Sequence, residues 1–260
     1  MDSITEAFLR EGAITIDTPL TQEQIAGALA AIDRLLPYEE AGPGEKQRYR
    51  GSLTCSYYEP ELVEIIQHPF FEEIAKQVLS TDRVFFYQTA IVTAYPQPNT
   101  PWSFEQHVDI QYRMQDFLET PRQVVCSFFL WLTDVNERRA PMMVRPRSHL
   151  LLAEENARTN AGPDVVGCVR GVALDLLPKL EYAEAVPLTA KAGQVSVLTT
   201  AAVHGASVNV DDQPRKSMVI TFTAEGVDIG LKPHEVQQKR DYDAALLPLL
   251  RPERQHILPV

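Results

Sequence analysis

The sequence predicts a mainly β protein, a double-sheet jelly roll with helices before and after it in the chain. From residue 83 onward, short segments rich in β-branched and aromatic residues alternate with turn residues. On either side of that region, apolar residues recur at helical spacing. Because no internal repeat or Gly/Ser linker divides the chain, we expect one domain over 1–260. Its predicted parts are a helical N-terminal part (about 1–82), the jelly-roll core (about 83–225) and a C-terminal helical tail (about 226–260).

The N-terminal elements are predicted from capping residues and prolines. Ala13–Asp17 favours a short strand. Thr21 is a predicted N-cap, and Gln24 three residues later completes a capping box at the start of a helix. A second helical stretch covers about Pro60–Leu79, and Pro69 should interrupt it because proline lacks the N–H that an interior helical position requires.

The core strands are predicted from residue type and alternation. Phe104–Tyr112 alternates apolar and polar residues, so its polar side chains should share one face, with Gln106 out of phase. Val124–Leu132 is apolar on both faces, as a central strand should be. The further strand segments are Val84–Tyr95, Met142–Arg145, Val165–Arg170, Val172–Leu176, Gly193–Leu198 and Arg215–Thr223. Helices are predicted again over Glu154–Arg158 and His234–Leu247.

Composition excludes several classes of partner. The chain has 24 Lys and Arg against 35 Asp and Glu, a net charge of −11, whereas a nucleic-acid-binding protein usually presents a basic surface. No segment approaches the roughly 20 apolar residues of a membrane span, and the N-terminus lacks the features of a signal peptide. Cys55, Cys126 and Cys168 have no C-x-x-C spacing and indicate free thiols in a reducing compartment. We therefore expect a cytoplasmic protein without membrane or nucleic-acid partners.

Three residues are candidate metal ligands. His107 and Asp109 lie two residues apart on a predicted strand, so both side chains point to the same face. Alone, that pair is explained about as well by a surface histidine and a turn aspartate. His204 adds to it, because it follows the strand-like segment GQVSVLTT, where a jelly roll would return to the same cavity. Two imidazoles and one carboxylate form the facial triad of non-haem Fe(II) oxygenases, which leaves open positions on the metal.

An arginine and a serine follow His204 on the next predicted strand. Arg215 and Ser217 lie two residues apart and so share a strand face. The open iron positions can take two oxygens of a keto acid and then O2, and the far carboxylate of that keto acid needs a fixed cation. Arg215 can bind it through two parallel hydrogen bonds, and the Ser217 hydroxyl can add a third. A lone arginine on a strand is usually a solvated edge charge, so this hypothesis depends on the nearby triad.

Together these motifs resemble the phytanoyl-CoA dioxygenase family of 2-oxoglutarate oxygenases. The residues that carry the resemblance are His107-Val108-Asp109, Pro146-Arg147-Ser148-His149, His204-Gly205-Ala206-Ser207-Val208-Asn209 and Arg215-Lys216-Ser217. The N-terminal strand and the helix after it also look like the opening of that family, so the resemblance spans roughly residues 8 to 225. The family usually has glycine where this chain has Arg147. It also commonly has a polar residue where Thr93-Ala94-Tyr95 ends the strand that contains Gln88.

The resemblance implies a double-stranded β-helix in which His107, Asp109 and His204 hold Fe(II). It implies 2-oxoglutarate as co-substrate, held by Arg215, and O2 as oxidant. Gln88 matches a position that the family often uses near the active site, which makes it a candidate for cofactor binding. The implied activity is that of a dioxygenase, which we expect to hydroxylate a small organic molecule with release of succinate and CO2.

The candidate substrate contacts are less specific. Four arginines form the dense basic cluster of this acidic chain: Arg138, Arg139, Arg145 and Arg147. A solvated loop explains the cluster, and the alternative is that Arg145 or Arg147 meets an anionic group of the substrate. The candidate cavity walls are aromatic: Tyr57, Tyr58, Tyr112 and Trp131. Aromatic residues in strands are more often part of the core, which is the competing interpretation for all four.

The remaining histidines are expected to be structural or exposed. His149 should hydrogen-bond to a loop, and His68 should lie at a helix end. His234 and His256 fall outside the region of resemblance and should be exposed.

Two other functions stay open at this point. A cupin-like jelly-roll isomerase or lyase would keep the histidines but would not need Arg215 and Ser217. A non-catalytic binding module on the same fold would bind no metal.

Overall fold

The computed structural model of the protein describes residues 3–37, 47–51, 57–97, 99–160 and 170–259. The strands in these ranges are β1 (Ala13–Ile16), β2 (Gln47–Gly51), β3 (Val84–Ala94), β4 (His107–Ile110), β5 (Cys126–Trp131), β6 (Met142–Val144), β7 (Arg170–Ala173), β8 (Val186–Leu188), β9 (Val195–Leu198), β10 (His204–Ala206) and β11 (Arg215–Ala224). The helices are α1 (Ile4–Glu11), α2 (Gln22–Leu35), α3 (Pro60–Ile66), α4 (Pro69–Leu79), α5 (Met114–Leu118), α6 (Ser148–Thr159) and α7 (Pro233–Leu246).

The strands form two antiparallel sheets. In the described part of the chain, the larger sheet has six strands in the order β1-β9-β5-β11-β3-β2, and the smaller has five in the order β7-β4-β10-β6-β8. Most neighbouring strands are distant in sequence, as in a double-sheet jelly roll. The predicted fold class, mainly β with helices before and after the strands, is confirmed.

One face of β11 packs into the hydrophobic core, and its other face points into the space between the two sheets. It pairs with β3 on one side and β5 on the other. Phe222 on β11 and Phe128 on β5 are fully buried, and the Phe71 ring of α4 lies 5.3 Å from that of Phe128, so α4 covers this face of the sheet. Because side chains alternate along a strand, the set that contains Arg215 and Ser217 points to the opposite face.

The predicted helix boundaries in the N-terminal part are confirmed. Thr21 caps α2, and its hydroxyl and the Gln24 side chain form the reciprocal bonds of a capping box. The stretch over Pro60–Leu79 is two helices, and Pro69 is the first residue of the second. His68 is the N-cap of that helix, and its Nδ1 accepts a hydrogen bond from the Phe70 backbone N–H. No helix in the described ranges has the length and apolar character needed to cross a membrane.

Several predicted elements differ in extent. The Phe104–Tyr112 strand is reduced to β4, and the out-of-phase Gln106 before it is buried and accepts a hydrogen bond from Arg145 Nε at 2.7 Å. The predicted strand Val172–Leu176 ends in a 3-10 helix from Leu174 onward. Of the predicted strand Val165–Arg170, the part at 165–169 lies outside the described residues.

The helix predicted over Glu154–Arg158 is longer than expected and begins at Ser148. The residue before it, Arg147, has φ 63° and ψ 0°, a left-handed conformation that favours glycine. The resembled family usually has glycine at this turn. This chain adopts the left-handed conformation with an arginine, whose backbone has less conformational freedom than that of glycine.

A buried carboxylate anchors the C-terminal segment to α4. Glu72 is 4% exposed, and its carboxylate accepts hydrogen bonds from Lys76, Arg254 and His256 at 2.6–3.0 Å. His256 is exposed, as predicted, and its imidazole pairs with this acid. Burial would raise the pKa of Glu72, but the hydrogen bonds from Lys76, His256 and Arg254 outweigh it and lower that pKa to about 2.

We expect Glu72→Gln to lower the free energy of unfolding at pH 7 by about 3 kcal/mol, because Arg254 would stay buried without its carboxylate. The folded pKa lies below the ordinary value of 4.5, so the contribution of Glu72 is complete above that pH. It is lost as the pH falls toward 2. Urea unfolding at pH 7 and pH 3 measures both effects. The exposed neighbour Glu73 provides the control, and a Glu72→Gln effect no larger than that of Glu73→Gln would contradict the anchoring role.

Candidate active site

The three predicted metal ligands meet where two strands of the smaller sheet pair. His107 of β4 lies directly opposite His204 of β10 in the antiparallel ladder. Asp109, two residues further on β4, points to the same face. Its carboxylate oxygens are 3.1 Å from His107 Nε2 and 3.5 Å from His204 Nε2. One potential ligand atom from each residue lies within 4.8 Å of the others.

The donor set fits a divalent transition metal. His204 Nδ1 lies 2.8 Å from the Ala202 carbonyl, and a hydrogen bond there leaves Nε2 facing Asp109 and His107. Burial would raise the pKa of Asp109, but hydrogen bonds from the two histidines outweigh it and hold that pKa below its ordinary value. The carboxylate is therefore ionised at neutral pH, as a metal ligand must be. Two imidazoles and one carboxylate on one face match the facial triad of non-haem iron.

The backbone around the triad is held by the motif residues beside it. The Asp109 N–H donates to the Thr200 carbonyl at 3.1 Å, which ties β4 to the loop before β10. Ser148 Oγ accepts from the Val203 N–H at 2.8 Å and donates to the Arg145 carbonyl at 2.7 Å. Ser148 thus fixes the residue directly before His204.

Glycine at position 205 permits the close approach of β10 to the chain before β4. A Cβ atom at Gly205 would lie 1.8 Å from the Glu105 carbonyl oxygen, which is backbone and not free to move aside. The glycine that follows His204 is therefore needed for packing.

Gly205→Ala is expected to destabilise the protein by about 1–3 kcal/mol, because the added methyl group must push β10 away from β4. The same shift would separate His107 from His204, so iron affinity should fall as well. Gly27→Ala in α2 is the matched control, since its Cβ would meet the Glu61 side chain at an ordinary 3.5 Å. Chemical denaturation and iron content measure the two effects, and unchanged values for Gly205→Ala would contradict the packing requirement.

The serine and asparagine of the same motif shape the loop from β10 to β11. Ser207 Oγ donates to the Pro141 carbonyl at 2.8 Å. Asn209 is buried, and its amide donates to the Ala94 carbonyl at 3.0 Å and the Gln213 carbonyl at 2.8 Å. These bonds fix the start of β11, where Arg215 lies opposite Ala94.

A cavity of about 260 Å³ lies between the two sheets. Its walls come from β3, β5 and β11 of the larger sheet and from β4, β6 and β10 of the smaller one. The predicted site residues that line it are His107, Asp109, His204, Arg215 and Gln88. The triad and the predicted co-substrate arginine thus share one cavity, although 106 residues separate Asp109 from Arg215 in the chain.

Arg215 is a buried cation at one end of this cavity. It is 2% exposed, its Nη1 donates to the Ala140 carbonyl at 3.1 Å, and its guanidinium carbon lies 5.8 Å from the centre of the Trp131 ring. Its Nε has no hydrogen-bond partner in the described part of the chain. Burial lowers the pKa of Arg215 to about 10, which leaves it charged at neutral pH. A buried, charged arginine with an unused donor favours an anionic ligand.

Ser217 lies two residues from Arg215 on the same strand and is fully buried. Its hydroxyl is 3.4 Å from the Val92 carbonyl, at the outer limit of a hydrogen bond. Unlike Arg215, Ser217 is not among the residues that line the cavity, and its contact with the co-substrate stays a prediction.

The predicted substrate residues do not line the cavity. Tyr112 is buried, and its hydroxyl accepts from the Val125 N–H at 3.2 Å. Trp131 is fully buried behind Arg215, and its indole N–H donates to Ser196 Oγ at 2.9 Å. Arg145 donates to Gln106 and to the Ala183 carbonyl, and Arg147 is exposed on the outer surface at the start of α6. The geometry thus favours the core interpretation for Tyr112 and Trp131 and the solvated-loop interpretation for Arg147, while Arg145 is held by its own hydrogen bonds.

The other members of the predicted basic cluster and cavity wall also have structural contacts. Arg139 pairs with Asp211 at 3.3 Å, and Arg138 donates to the Val210 carbonyl at 3.0 Å. Tyr57 is fully buried and its hydroxyl accepts from the Ile91 N–H at 3.2 Å, while Tyr58 is partly exposed on the surface. None of these four lines the cavity described above.

The histidines outside the triad lie apart from the cavity. His149 is buried with its Nε2 2.9 Å from the Leu9 carbonyl, so it joins α6 to α1. Burial lowers the pKa of His149 to about 4, so the ring is neutral at pH 7. His234 is exposed in α7, as predicted.

Sequence reasoning missed several cavity residues, among them Ser127, Phe129, Thr200, Val219 and Thr221. None belongs to a motif. Strand alternation carried a signal, because Val219 and Thr221 share the face of Arg215 on β11. Which partner strand faces them required the tertiary structure.

Comparison with known proteins agrees with this geometry. The sequence profile of the phytanoyl-CoA dioxygenase (PhyH) family matches residues 8–217. The ectoine dioxygenase of Bordetella bronchiseptica is 24% identical over 236 residues, which cover 84% of this chain and 74% of that protein.

Solved structures show the same fold. EctD from S. alaskensis, with 2-oxoglutarate and 5-hydroxyectoine, has a TM-score of 0.58 at 19% identity and covers 88% of this chain and 79% of its own. The epimerase SnoN, in complex with Fe3+, alpha ketoglutarate and nogalamycin RO, has a TM-score of 0.64 at 18% identity, with coverage of 88% and 86%.

A facial triad between the sheets of a jelly roll, with a buried arginine in the same cavity, defines the iron(II)- and 2-oxoglutarate-dependent dioxygenases as the class of this protein. Within that class, the chain belongs to the phytanoyl-CoA dioxygenase (PhyH) family, whose profile covers most of its length.

Proposed function

We propose that this protein hydroxylates a small organic molecule, with His107, Asp109 and His204 as iron ligands and Arg215 with Ser217 as the site for the distal carboxylate of 2-oxoglutarate. The observation that carries the proposal is that the triad and the buried, partly unpaired Arg215 line the same 260 Å³ cavity. A cation in that position has no carboxylate partner among the described residues, so the co-substrate would supply one.

The protein's own residues would place the reactants and exclude water. Bound iron with 2-oxoglutarate and O2 supplies the oxidising power, and succinate and CO2 are the co-products. His107, Asp109 and His204 would hold the metal as its three protein ligands and would leave positions on it for the co-substrate and O2. Trp131 closes the space behind Arg215 and holds the guanidinium by its ring face. The fixed guanidinium then sets the orientation of the co-substrate relative to the metal.

Hydroxylation is the reaction type that the relatives support best. The ectoine dioxygenases match over 84% of this chain at 24% identity. The epimerase and the carbocyclase among the structural neighbours, at 18% and 19% identity, share the fold and carry no argument about the reaction. The cupin-like alternative does not account for a buried Arg215 that faces the triad, and the binding-module alternative does not account for the convergent donor set.

The proposal also covers the compartment, the partners and the domain organisation of the enzyme. The acidic charge of the chain and the buried free thiol of Cys126 support a cytoplasmic enzyme without a nucleic-acid partner. We further propose that residues 1–260 act as one domain. Cys55 and Cys168 lie outside the described residues.

The direct test is turnover of the co-substrate. Protein reconstituted with Fe(II) should form succinate from 2-oxoglutarate only when O2 is present, even without added substrate, because such enzymes decarboxylate the keto acid slowly on their own. Binding of Fe(II) without any 2-oxoglutarate binding would favour the cupin-like alternative. Failure to retain metal would favour the binding module.

A further inference from the structure

On the side of the cavity formed by the larger sheet, a row of three polar side chains lies far from Arg215. Thr221 of β11 pairs with Gln88 of β3 on one side and with Ser127 of β5 on the other. All three line the cavity. Arg215 lies six residues away along β11, which is roughly 20 Å at the rise of a β-strand. A five-carbon keto acid held by Arg215 and the metal cannot span that distance, so the row faces the space that the co-substrate leaves free.

The polar row has unused hydrogen-bonding capacity. Ser127 and Thr221 are each 1% exposed, and their hydroxyl oxygens are 3.1 Å apart. One of their two O–H groups forms that bond, which leaves one donor and several lone pairs. The Gln88 amide is half-buried and makes no hydrogen bond to the described part of the chain. The spare donor and lone pairs of this row are suited to a polar ligand group.

An apolar row separates the polar row from the co-substrate end. Val219 pairs with Ala90 and with Phe129, and the three side chains pack on one another. The cavity surface therefore changes from apolar to polar between the Arg215 end and the polar row.

In the proposed complex, the charged side chains of the cavity are paired with the metal and the co-substrate. Among the described residues that line it, the ionisable groups are the triad and Arg215. With Fe(II) and doubly negative 2-oxoglutarate bound, Arg215 and the metal are already matched by negative partners. An ionised substrate group at the polar row would then be buried without a counter-charge, which is strongly unfavourable.

We propose that Gln88, Ser127 and Thr221 form the substrate-recognition site and that it takes a small, uncharged molecule. The apolar part of that molecule would lie on Ala90, Phe129 and Val219, and a hydroxyl, carbonyl or carboxamide would bind the polar row. The volume of about 260 Å³ is at the small end for a ligand site, which favours a small molecule. This inference rests on the proposed function, and it moves Gln88 from the co-substrate site, where the sequence placed it, to the substrate site.

The test uses three probes of matched shape: cyclohexanecarboxamide, cyclohexanecarboxylate and cyclohexylmethylammonium. Each is titrated by calorimetry into the Fe(II)-loaded protein saturated with 2-oxoglutarate in the absence of O2. The carboxamide is expected to bind at least about 10-fold more tightly than either ion, because the ions must lose water without gaining a counter-charge.

Substitutions in the polar row test whether its residues cause the preference for the carboxamide. Thr221→Val and Ser127→Ala should each weaken carboxamide binding by roughly 3- to 10-fold, as expected for one hydrogen bond. Thr89→Val is the matched control: its buried hydroxyl donates to the Val219 carbonyl, and its side chain does not line the cavity. It should leave carboxamide affinity unchanged. Gln88→Leu gives a third variant at a half-buried position, should either hydroxyl variant fold poorly.

The proposal is overturned if an ion binds as tightly as the carboxamide, if none of the three probes binds, or if folded variants of the polar row keep the preference of the wild type. Titration of 2-oxoglutarate into the same protein comes first. Its failure to bind contradicts the proposed function, whereas its binding without a preference for the carboxamide contradicts the recognition site alone.

Discussion

Replacing Arg215 with Ala is expected to weaken 2-oxoglutarate binding by roughly 30-fold to several thousand-fold. Removing one partner of a buried, hydrogen-bonded charge pair typically costs about 2–5 kcal/mol, and each 1.4 kcal/mol is about tenfold in affinity. The size of the effect follows from the burial of Arg215, which is 2% exposed. Titration of 2-oxoglutarate into Fe(II)-loaded protein without O2 measures it directly.

Two further variants refine this result. Arg215→Lys should recover only part of the loss, because an ammonium keeps the charge but cannot form two parallel hydrogen bonds. Ser217→Ala should cost less, about 1.5–3 kcal/mol, since it removes one bond to a charged acceptor. All three variants should retain iron, because neither residue belongs to the triad. Wild-type affinity for 2-oxoglutarate in Arg215→Ala would refute the co-substrate site.

Replacing His107 or Asp109 with Ala is expected to abolish stable Fe(II) binding and succinate formation. Each substitution removes one of three protein ligands whose donor atoms lie within 4.8 Å of one another. The metal would be left with two protein ligands and more solvent positions than a facial triad leaves. Iron content after gel filtration and succinate release measure the two losses.

His149→Ala is the matched control for the metal site. This histidine is buried and joined to the Leu9 carbonyl, away from the cavity. Its replacement should reduce stability and leave the iron content of the folded protein intact. Near-normal turnover in His107→Ala, or loss of iron in well-folded His149→Ala, would contradict the assignment of the triad.

The sequence by itself determined the features that depend on local geometry. His107 and Asp109 share a face because strand side chains alternate, whatever the strand pairs with. The capping box at Thr21 and the helix start at Pro69 are likewise properties of a few consecutive residues. The family resemblance linked these local features to His204 and Arg215, and the cavity joins them as expected.

Only the tertiary structure decided which other residues face the site. Ser127 and Thr221 are 94 residues apart, and their hydrogen bond follows from the register of β5 on β11, which no local pattern specifies. The same register places Trp131 behind Arg215, with its N–H bound to Ser196, and not in the cavity wall. The register of β3 on β11 sets Gln88 beside Thr221, six residues along β11 from Arg215. Strand alternation fixes the face of a side chain, but its neighbours on that face depend on pairing between distant segments.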